Sequence, residues 1–229
     1  MMNKKSLADV TLLGVDCVDL NRLITTATIC QRSFDFGAVK ILTSLTSEEH
    51  TQHIVPIAPV RTWQEYSDFI IANLHKYVDT SHVLIIQYDG FILNPQAWSD
   101  SFLEYDYIGA PCCAPCWRRL AVGNGGFSLR SKKLLELINQ YQRKIPGPIR
   151  AEDKWICERA RPMLESYGAI FAPLTVASKF SIEGNAWAGN VWSDQFGFHD
   201  FRRTDIIPWL RENPDYIFDP IKRCIVRAT

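Results

Sequence analysis

Four short segments of the chain carry side chains suited to a phosphate-bearing substrate, and the first follows an apolar run at residues 84–86. There the chain continues with Gln87, Tyr88, Asp89 and Gly90. A buried strand that ends on an exposed aspartate is one way in which α/β enzymes present a metal ion or a diphosphate at the carboxyl edge of a sheet. Mg²⁺ and Mn²⁺ prefer oxygen ligands, and one or two carboxylates with substrate phosphates make up a usual shell. Asp89 is therefore a candidate metal ligand, with a simple Asp-Gly turn as the alternative.

The second segment is rich in glycine and contains Gly123, Asn124, Gly125 and Gly126. Glycines let the backbone approach a ligand closely and adopt positive φ angles. The segment is not a P-loop, because no Gly-Lys-Ser/Thr follows, and it does not fit the dinucleotide pattern. A ligand-contacting loop and a tight connection before the next helix are both compatible with it.

The remaining two segments contribute a carboxylate pair, Glu152 and Asp153, and a lone histidine, His199. The pair lies at the start of a predicted helix, where the helix dipole alone favours carboxylates. One of the two could instead be a general base that takes a proton from an attacking hydroxyl group. His199, between Phe198 and Asp200, could hold a metal ion or a diphosphate through a neutral ring nitrogen, or could be a hydrogen-bonded core residue.

The elements that must position these residues alternate between strands and helices. Apolar runs predict strands at residues 10–15, 38–43 and 83–86. Between them, a partial apolar face predicts a helix over residues 21–32, and the spacing of Thr62 and Glu65 predicts a capping box that starts a second helix. This order predicts an α/β fold with a mainly parallel central sheet and helices on both faces.

The second half of the chain is less regular. Ser131 is a predicted N-cap for a helix that runs to about Tyr141. Another helix is expected from about residue 152, and Pro162 should kink or stop it. Residues 169–172 are expected to form a short strand.

Composition limits the kinds of partner that the chain could have. The sequence has 229 residues, of which 47% are hydrophobic and 22% charged, and its formal net charge is +0. This charge gives no general attraction to nucleic acid, so we expect no nucleic-acid partner. The seven cysteines are an odd number and irregularly spaced, which favours free thiols. Cys112, Cys113 and Cys116 lack a second ligand pair at a usual zinc spacing, so we interpret them as a loop with free thiols.

The cellular location follows from what the sequence lacks. Two lysines near the amino terminus are not followed by an apolar segment, so we expect no signal peptide. No segment approaches the ~20 apolar residues that a membrane-spanning helix needs. We therefore expect a cytoplasmic protein, with peripheral association with the inner face of the plasma membrane as an open alternative.

Taken in order, the four segments resemble the GT-A class of nucleotide-sugar-dependent glycosyltransferases. Members of that class share an Asp-x-Asp motif after a strand, a glycine-rich loop, an x-Glu-Asp motif that opens a helix, and a carboxy-terminal histidine. The matching residues are Gln87-Tyr88-Asp89, Gly123-Asn124-Gly125-Gly126, Ala151-Glu152-Asp153 and His199. More closely, the chain resembles an uncharacterised bacterial branch of the class that is associated with surface-polysaccharide gene clusters, such as those for lipopolysaccharide or capsule.

The resemblance implies one GT-A-like domain over residues 1–229. Its donor-binding half would cover about 9–110, its acceptor and catalytic half about 111–205, and residues 206–229 would wrap the domain. A nucleotide-diphosphate sugar would be the donor, and a glycan or glycolipid would be the acceptor. The donor-binding residues would be Asp16, Gln87, Asp89, Asn124, Gly125 and Gly126. Asp89 and His199 would hold Mn²⁺ or Mg²⁺.

The resemblance also implies catalytic roles for Asp153 and Glu152. Asp153 would deprotonate an acceptor hydroxyl that attacks the anomeric carbon with inversion, although a retaining outcome stays open. Glu183 and Trp187 could contact a sugar. Gln87 replaces the first Asp of the Asp-x-Asp motif and brings no charge, which leaves the metal requirement open. A non-catalytic carbohydrate- or nucleotide-binding module and a sugar nucleotidyltransferase are the alternatives, and the oligomeric state is open.

Overall fold

The computed structural model of the chain describes residues 4–48, 51–111, 122–184, 192–201 and 206–219. Six strands form the main sheet in the order β3-β2-β1-β4-β6-β5. They are β1 (Lys5–Val15), β2 (Phe34–Thr43), β3 (Ile54–Pro56), β4 (His82–Ile86), β5 (Tyr107–Ile108) and β6 (Ser128–Ser131). β1 to β4 pair in parallel, and β6 pairs antiparallel with both β4 and β5. The predicted α/β fold with a mainly parallel sheet is confirmed.

The described residues form seven α-helices, and the first three of them begin after a polar N-cap residue. They are α1 (Leu20–Cys30), α2 (Trp63–Asn73), α3 (Lys132–Tyr141), α4 (Glu152–Lys154), α5 (Arg161–Ser166), α6 (Leu174–Phe180) and α7 (Ile207–Glu212). The capping box is confirmed, because the Thr62 hydroxyl accepts from the Glu65 backbone N–H and the Glu65 carboxylate accepts from that of Thr62. Ser131 caps α3 by accepting from the backbone N–H of Leu134.

The segment between α4 and α5 departs from ordinary helix geometry. Trp155–Ala160 form a π-helix, and helical structure continues past Pro162 to the end of α5 at Ser166. The expectation that Pro162 would stop the helix is therefore wrong. Proline has no backbone N–H to donate to the preceding turn, and a wider π turn is one way for a helix to pass such a point.

Both faces of the sheet are buried, which explains the continuous apolar runs of its strands. On one face, Leu12 and Leu84 pack with α1 and with a cluster of aromatic side chains from residues 196–201. On the other, Leu13 and Ile85 pack against residues of α2 and α3. The side chains of successive strand residues thus point to opposite faces of the sheet. The polar residues that follow each strand lie at the carboxyl edge.

A second, two-stranded parallel sheet brings the end of the chain to that edge. It consists of β7 (Ser181–Glu183) and β8 (Gly197–His199), and its register places Glu183 beside His199. An isolated bridge between Ile92 and Gly197 joins it to the segment after β4. The sequence did not predict β3, β6, β7 or β8. The strand predicted at residues 169–172 is wrong, because only Phe171 makes a single bridge, to Tyr107.

Cys17, Cys30 and Cys157 carry free thiols, whereas the cluster Cys112, Cys113 and Cys116 lies outside the described residues, as does Trp187. No helix in the described ranges combines the length and the apolar character that crossing a bilayer would require.

Candidate functional site

The turn after β4 meets the end of β8. The Gln87 backbone N–H donates to the Gly90 carbonyl (3.2 Å), and the Gly90 N–H donates to that of Gln87 (3.1 Å), which reverses the chain. The His199 ring lies against this turn, with Nε2 3.0 Å from Gln87 Oε1 and 3.5 Å from Asp89 Oδ1. The Asp200 backbone N–H also donates to the Asp89 carbonyl (2.8 Å). His199 is therefore a neighbour of two predicted site residues, Gln87 and Asp89, that lie far from it in the sequence.

His199 is bracketed by two carboxylates. Its Nδ1 lies 3.0 Å from Glu183 Oε1, while its Nε2 faces Asp89. Burial alone would lower the pKa of His199, but hydrogen bonds and charge from Asp89 and Glu183 outweigh it and raise the pKa to about 10. The ring is therefore an imidazolium at neutral pH and places a positive charge beside the β4 turn.

The glycine-rich segment packs against the His199 ring. A Cβ atom at Gly126 would overlap the His199 ring, and one at Gly90 would come within 2.9 Å of its Cδ2. Asn124 shapes the loop, because it adopts φ +62° and its Oδ1 accepts from the Gly126 backbone N–H (2.8 Å). The Asn124 side-chain nitrogen is buried and has no hydrogen-bond partner among the described residues. Glycine is thus required at positions 90 and 126, because the His199 imidazole approaches the backbone closely at both.

The carboxylate pair at α4 is divided between two environments. Glu152 is buried, its Oε1 lies 3.3 Å from Arg130 Nη2, and a Cβ atom at Gly125 would overlap it. Asp153 is only partly buried, and its Oδ1 accepts from the Lys154 backbone N–H (2.7 Å). The two neighbours in sequence therefore face different surroundings.

The pKa of Asp153 is raised to about 7. Burial is the largest cause, and the negative charges of Glu152 and Glu183 add to it, whereas the Lys154 backbone N–H and the Arg130 charge lower it. A carboxylate with this pKa is partly ionised at neutral pH. Asp153 thus suits a group that accepts a proton during a reaction.

Asp16 organises the connection between β1 and α1. Its Oδ1 accepts from the backbone N–H groups of Val18 (2.8 Å) and Asp19 (3.0 Å), and its Oδ2 accepts from Arg22 Nε (2.5 Å). The Arg22 guanidinium in turn lies 4.0 Å above the Tyr88 ring. Asp16 thereby anchors a cation at the edge of the sheet, next to the β4 turn.

A cleft of about 180 Å³ opens between the ends of β1 and β4 and the start of α2. Two of the most exposed large apolar side chains, Val18 (65%) and Trp63 (64%), both line it. The remaining lining residues are Val15, Asp16, Cys17, Arg22, Val60, Arg61, Thr62, Tyr66, Gln87 and Tyr88. Trp63 was not predicted as a site residue, because its spacing also fits the apolar face of α2. Its position at the first residue of a helix that starts near the sheet edge was the available signal.

The predicted donor-binding, metal and catalytic residues thus occupy one edge of the sheet. Gln87 lines the cleft and also contacts His199. Glu183 hydrogen-bonds to His199, and its negative charge raises the pKa of Asp153. Within the described ranges, no three side chains of His, Cys, Asp or Glu are grouped so that they could hold a metal ion. The pair Asp89 and His199 therefore fits a divalent ion only together with oxygens from a substrate, such as those of a diphosphate.

Comparisons with known proteins support the fold. A family model described as a protein of unknown function (DUF5672) matches residues 51–199, and no curated protein matches the sequence. The glycosyltransferase GlyE of Streptococcus pneumoniae TIGR4 aligns with a TM-score of 0.50 at 13% identity, over 98% of this chain and 63% of that chain. The chain thus spans less than two thirds of GlyE, and at this identity the likeness concerns the fold, which is of the GT-A type.

Two further solved structures align less well. A glycosyltransferase involved in the glycosylation of the major capsid of PBCV-1 gives a TM-score of 0.48 at 15% identity, over 83% of this chain and 92% of that chain. The mannosyltransferase PcManGT from Pyrobaculum calidifontis, solved in complex with GDP-Man and Mn²⁺, gives 0.45 at 10% identity, over 72% and 54%.

Proposed function

The chain belongs to the DUF5672 family of proteins of unknown function, and we propose that it is a glycosyltransferase that uses a nucleotide-diphosphate sugar as donor. The observation that carries the proposal is the contact of Asp89 with His199 beside an open cleft, together with Glu183, which hydrogen-bonds to His199 and acts electrostatically on Asp153. A donor with a base, a diphosphate and a sugar needs neighbouring environments for each of these parts.

The nucleoside would occupy the cleft at the ends of β1 and β4. The exposed Trp63 indole offers a flat apolar face on which a base can stack, and Val18 lies in the same lining. Arg22, held by Asp16, would supply positive charge on the side of the phosphates. The Gln87 side-chain oxygen, which already contacts His199 Nε2, can also accept a hydrogen bond from a ribose hydroxyl.

The diphosphate would lie at the β4 turn. There the His199 imidazolium would place a positive charge beside the leaving group. Asp89 and His199 are the residues that would hold Mn²⁺ or Mg²⁺ together with the diphosphate oxygens; His199 would then bind through a ring nitrogen that has lost its proton, so the ion would take the place of the imidazolium charge. Such an ion, when bound, neutralises negative charge that develops on a departing diphosphate. The glycine loop would border the donor sugar.

Asp153 would be the base of an inverting single displacement. Its raised pKa keeps it ready to take a proton from an acceptor hydroxyl at neutral pH. The hydroxyl oxygen then attacks the anomeric carbon, the bond from that carbon to the diphosphate breaks, and the proton stays on Asp153. The acceptor would be a glycan or glycolipid, which suits a cytoplasmic enzyme that can work at the membrane face and in surface-polysaccharide synthesis.

Calorimetry with a panel of nucleoside diphosphates and nucleotide sugars, with and without Mn²⁺, followed by a donor-hydrolysis assay, tests the proposal. At least one nucleoside diphosphate should bind, and Trp63→Ala should weaken its binding about tenfold, since stacking of a base on an aromatic ring is worth ~1–3 kcal/mol. Tyr167→Ala, which removes an exposed aromatic ring outside the cleft lining, is the matched control. Absence of binding across the panel would refute the proposal, and binding without turnover would favour a non-catalytic module.

A further inference from the structure

Arg130 is an arginine with no solvent exposure, in the short strand β6. Its Nη2 lies 3.3 Å from Glu152 Oε1 and 3.5 Å from the Gly125 carbonyl oxygen, and its Nε donates to Ser128 Oγ (3.1 Å). The guanidinium also lies 5.1 Å from the centre of the Tyr107 ring. One side chain thus contacts the neighbouring strand β5, the glycine loop and the start of α4.

Such a buried charge is costly unless its partners are fixed. Removing arginine and glutamate from water costs several kcal/mol for each ion, and their attraction offsets this only when the geometry is good and further hydrogen bonds are made. Ser128 helps to meet that condition, because its hydroxyl accepts from Arg130 and donates to the Gly125 carbonyl (3.1 Å). Both Gly125 and Glu152 are therefore held against one rigid fork.

The held residues adjoin the proposed reaction centre. Gly125 precedes Gly126, which supports the His199 ring, and Glu152 precedes Asp153. A change at Arg130 would be transmitted to both, although Arg130 itself is shielded from any substrate.

We propose that Arg130 is a positioning residue that joins the glycine loop to α4 through Gly125 and Glu152 and thereby fixes the carboxylate of Asp153. The inference rests on the proposed function, because it takes Asp153 as the base. It assigns Glu152 a positioning role as well, since its buried carboxylate is committed to Arg130.

The charges that act on Asp153 make the inference testable. Glu152 and Glu183 raise its pKa, whereas Arg130 lowers it. Among the described residues, the phenols of Tyr66 and Tyr107 also interact electrostatically with Asp153. Loss of the Glu152 charge should therefore lower the pKa of Asp153, and additional loss of the Arg130 charge should reverse part of that change.

The decisive experiment follows the titration of Asp153 by ¹³C NMR of labelled aspartate carboxyls, assigned with Asp153→Asn. In Glu152→Gln the midpoint should fall by about one pH unit, the size expected when one nearby charge is removed. In the combined variant Arg130→Gln and Glu152→Gln the midpoint should lie between that value and the wild-type value. Glu165→Gln breaks a surface ion pair with Arg161 and should leave the midpoint unchanged.

Turnover supplies the second readout. Arg130→Lys keeps the positive charge but loses the fork that reaches Gly125, Ser128 and Glu152 together, so kcat should fall at least tenfold while the KM for donor stays within about twofold. Wild-type kcat in Arg130→Lys, or a wild-type Asp153 midpoint in Glu152→Gln, would overturn the inference. If the combined variant does not fold, the kcat of Arg130→Lys and the Asp153 midpoint in Glu152→Gln still test the inference. If no nucleotide sugar is turned over at all, the proposed function fails, and the NMR titration alone still tests the positioning role.

Discussion

Replacement of Asp153 by Asn should remove activity and at the same time stabilise the fold at alkaline pH. The native pKa of Asp153 is raised to about 7, whereas an aspartate in the unfolded chain titrates near ~3.9. Between these values the unfolded state loses its proton first, so ionisation favours unfolding as the pH rises. Asparagine cannot ionise, and its side-chain oxygen can still accept from the Lys154 backbone N–H. The variant therefore escapes the loss of stability that the wild type undergoes.

The size of the effect follows from the pKa difference. About three pH units at ~1.4 kcal/mol each give an upper limit of about 4 kcal/mol, reached above pH 7. Asp153 is only partly buried and its neighbours can relax, so we expect about half of this, or ~2 kcal/mol. For a chain of this length, that corresponds to a rise in Tm of roughly 4–8 °C. The gain should be close to zero at pH 4 and grow steadily to pH 8.

Thermal unfolding of the two proteins at pH 4.5, 6 and 8, together with donor turnover, measures both effects. Turnover should fall by a factor of ~10² to 10⁴, as for the loss of a general base. Asp79→Asn is the control of opposite sign, because the hydrogen bond from Lys40 lowers the pKa of Asp79 and its removal should give no gain at pH 8. A gain in stability of the same size at every pH, or a loss of stability at pH 8, would show that the pKa of Asp153 is not raised to near neutrality. Near wild-type turnover would show that it is not the base.

The remaining predictions concern the other half of the site. Gly126→Ala should displace the His199 ring, weaken nucleoside diphosphate binding in calorimetry by at least tenfold and cost about 1–3 kcal/mol of stability, as overpacking does. Gly168→Ala, at a positive φ with open space around it, should cost stability without affecting binding. Gln87→Asp should add a second carboxylate beside Asp89 and raise the affinity for Mn²⁺ about tenfold in calorimetry, since hard cations favour added anionic oxygens. An unchanged Mn²⁺ affinity would count against a metal site at the β4 turn.

Features that depend on neighbouring residues were predictable from the sequence. The capping box at Thr62 and Glu65, the N-cap at Ser131 and the strand that ends before Gln87 all agree with the structure. Each of these signals lies within a few residues, where capping bonds and the alternation of faces decide the local conformation. The mainly parallel pairing of the first strands was also predictable, because strands that alternate with helices favour a parallel sheet.

Contacts between distant segments were not predictable in the same way. β6 has four residues and inserts antiparallel between β4 and β5, so nothing in its own sequence specifies its neighbours. An arginine in a strand ordinarily indicates an exposed position, yet Arg130 is fully buried, where it forms an ion pair with Glu152. The pairing of Glu183 with His199 depends on the register of β7 and β8, which short strands do not encode by themselves.

The balance of charge at the sheet edge differs between two carboxylates that residue type and local position do not separate. Glu152 and Asp153 are adjacent, acidic and at the start of the same helix, so only the resemblance to the GT-A class favoured Asp153 as the base. In the structure, four other carboxylates near this edge contact a cationic side chain; the pairs are Asp16 with Arg22, Glu152 with Arg130, and Asp89 and Glu183 with His199. Asp153 forms no ion pair within the described residues and receives one backbone N–H. A carboxylate that is partly buried near two other negative charges, without a cation in contact, holds a proton up to neutral pH and so has the affinity that a general base needs.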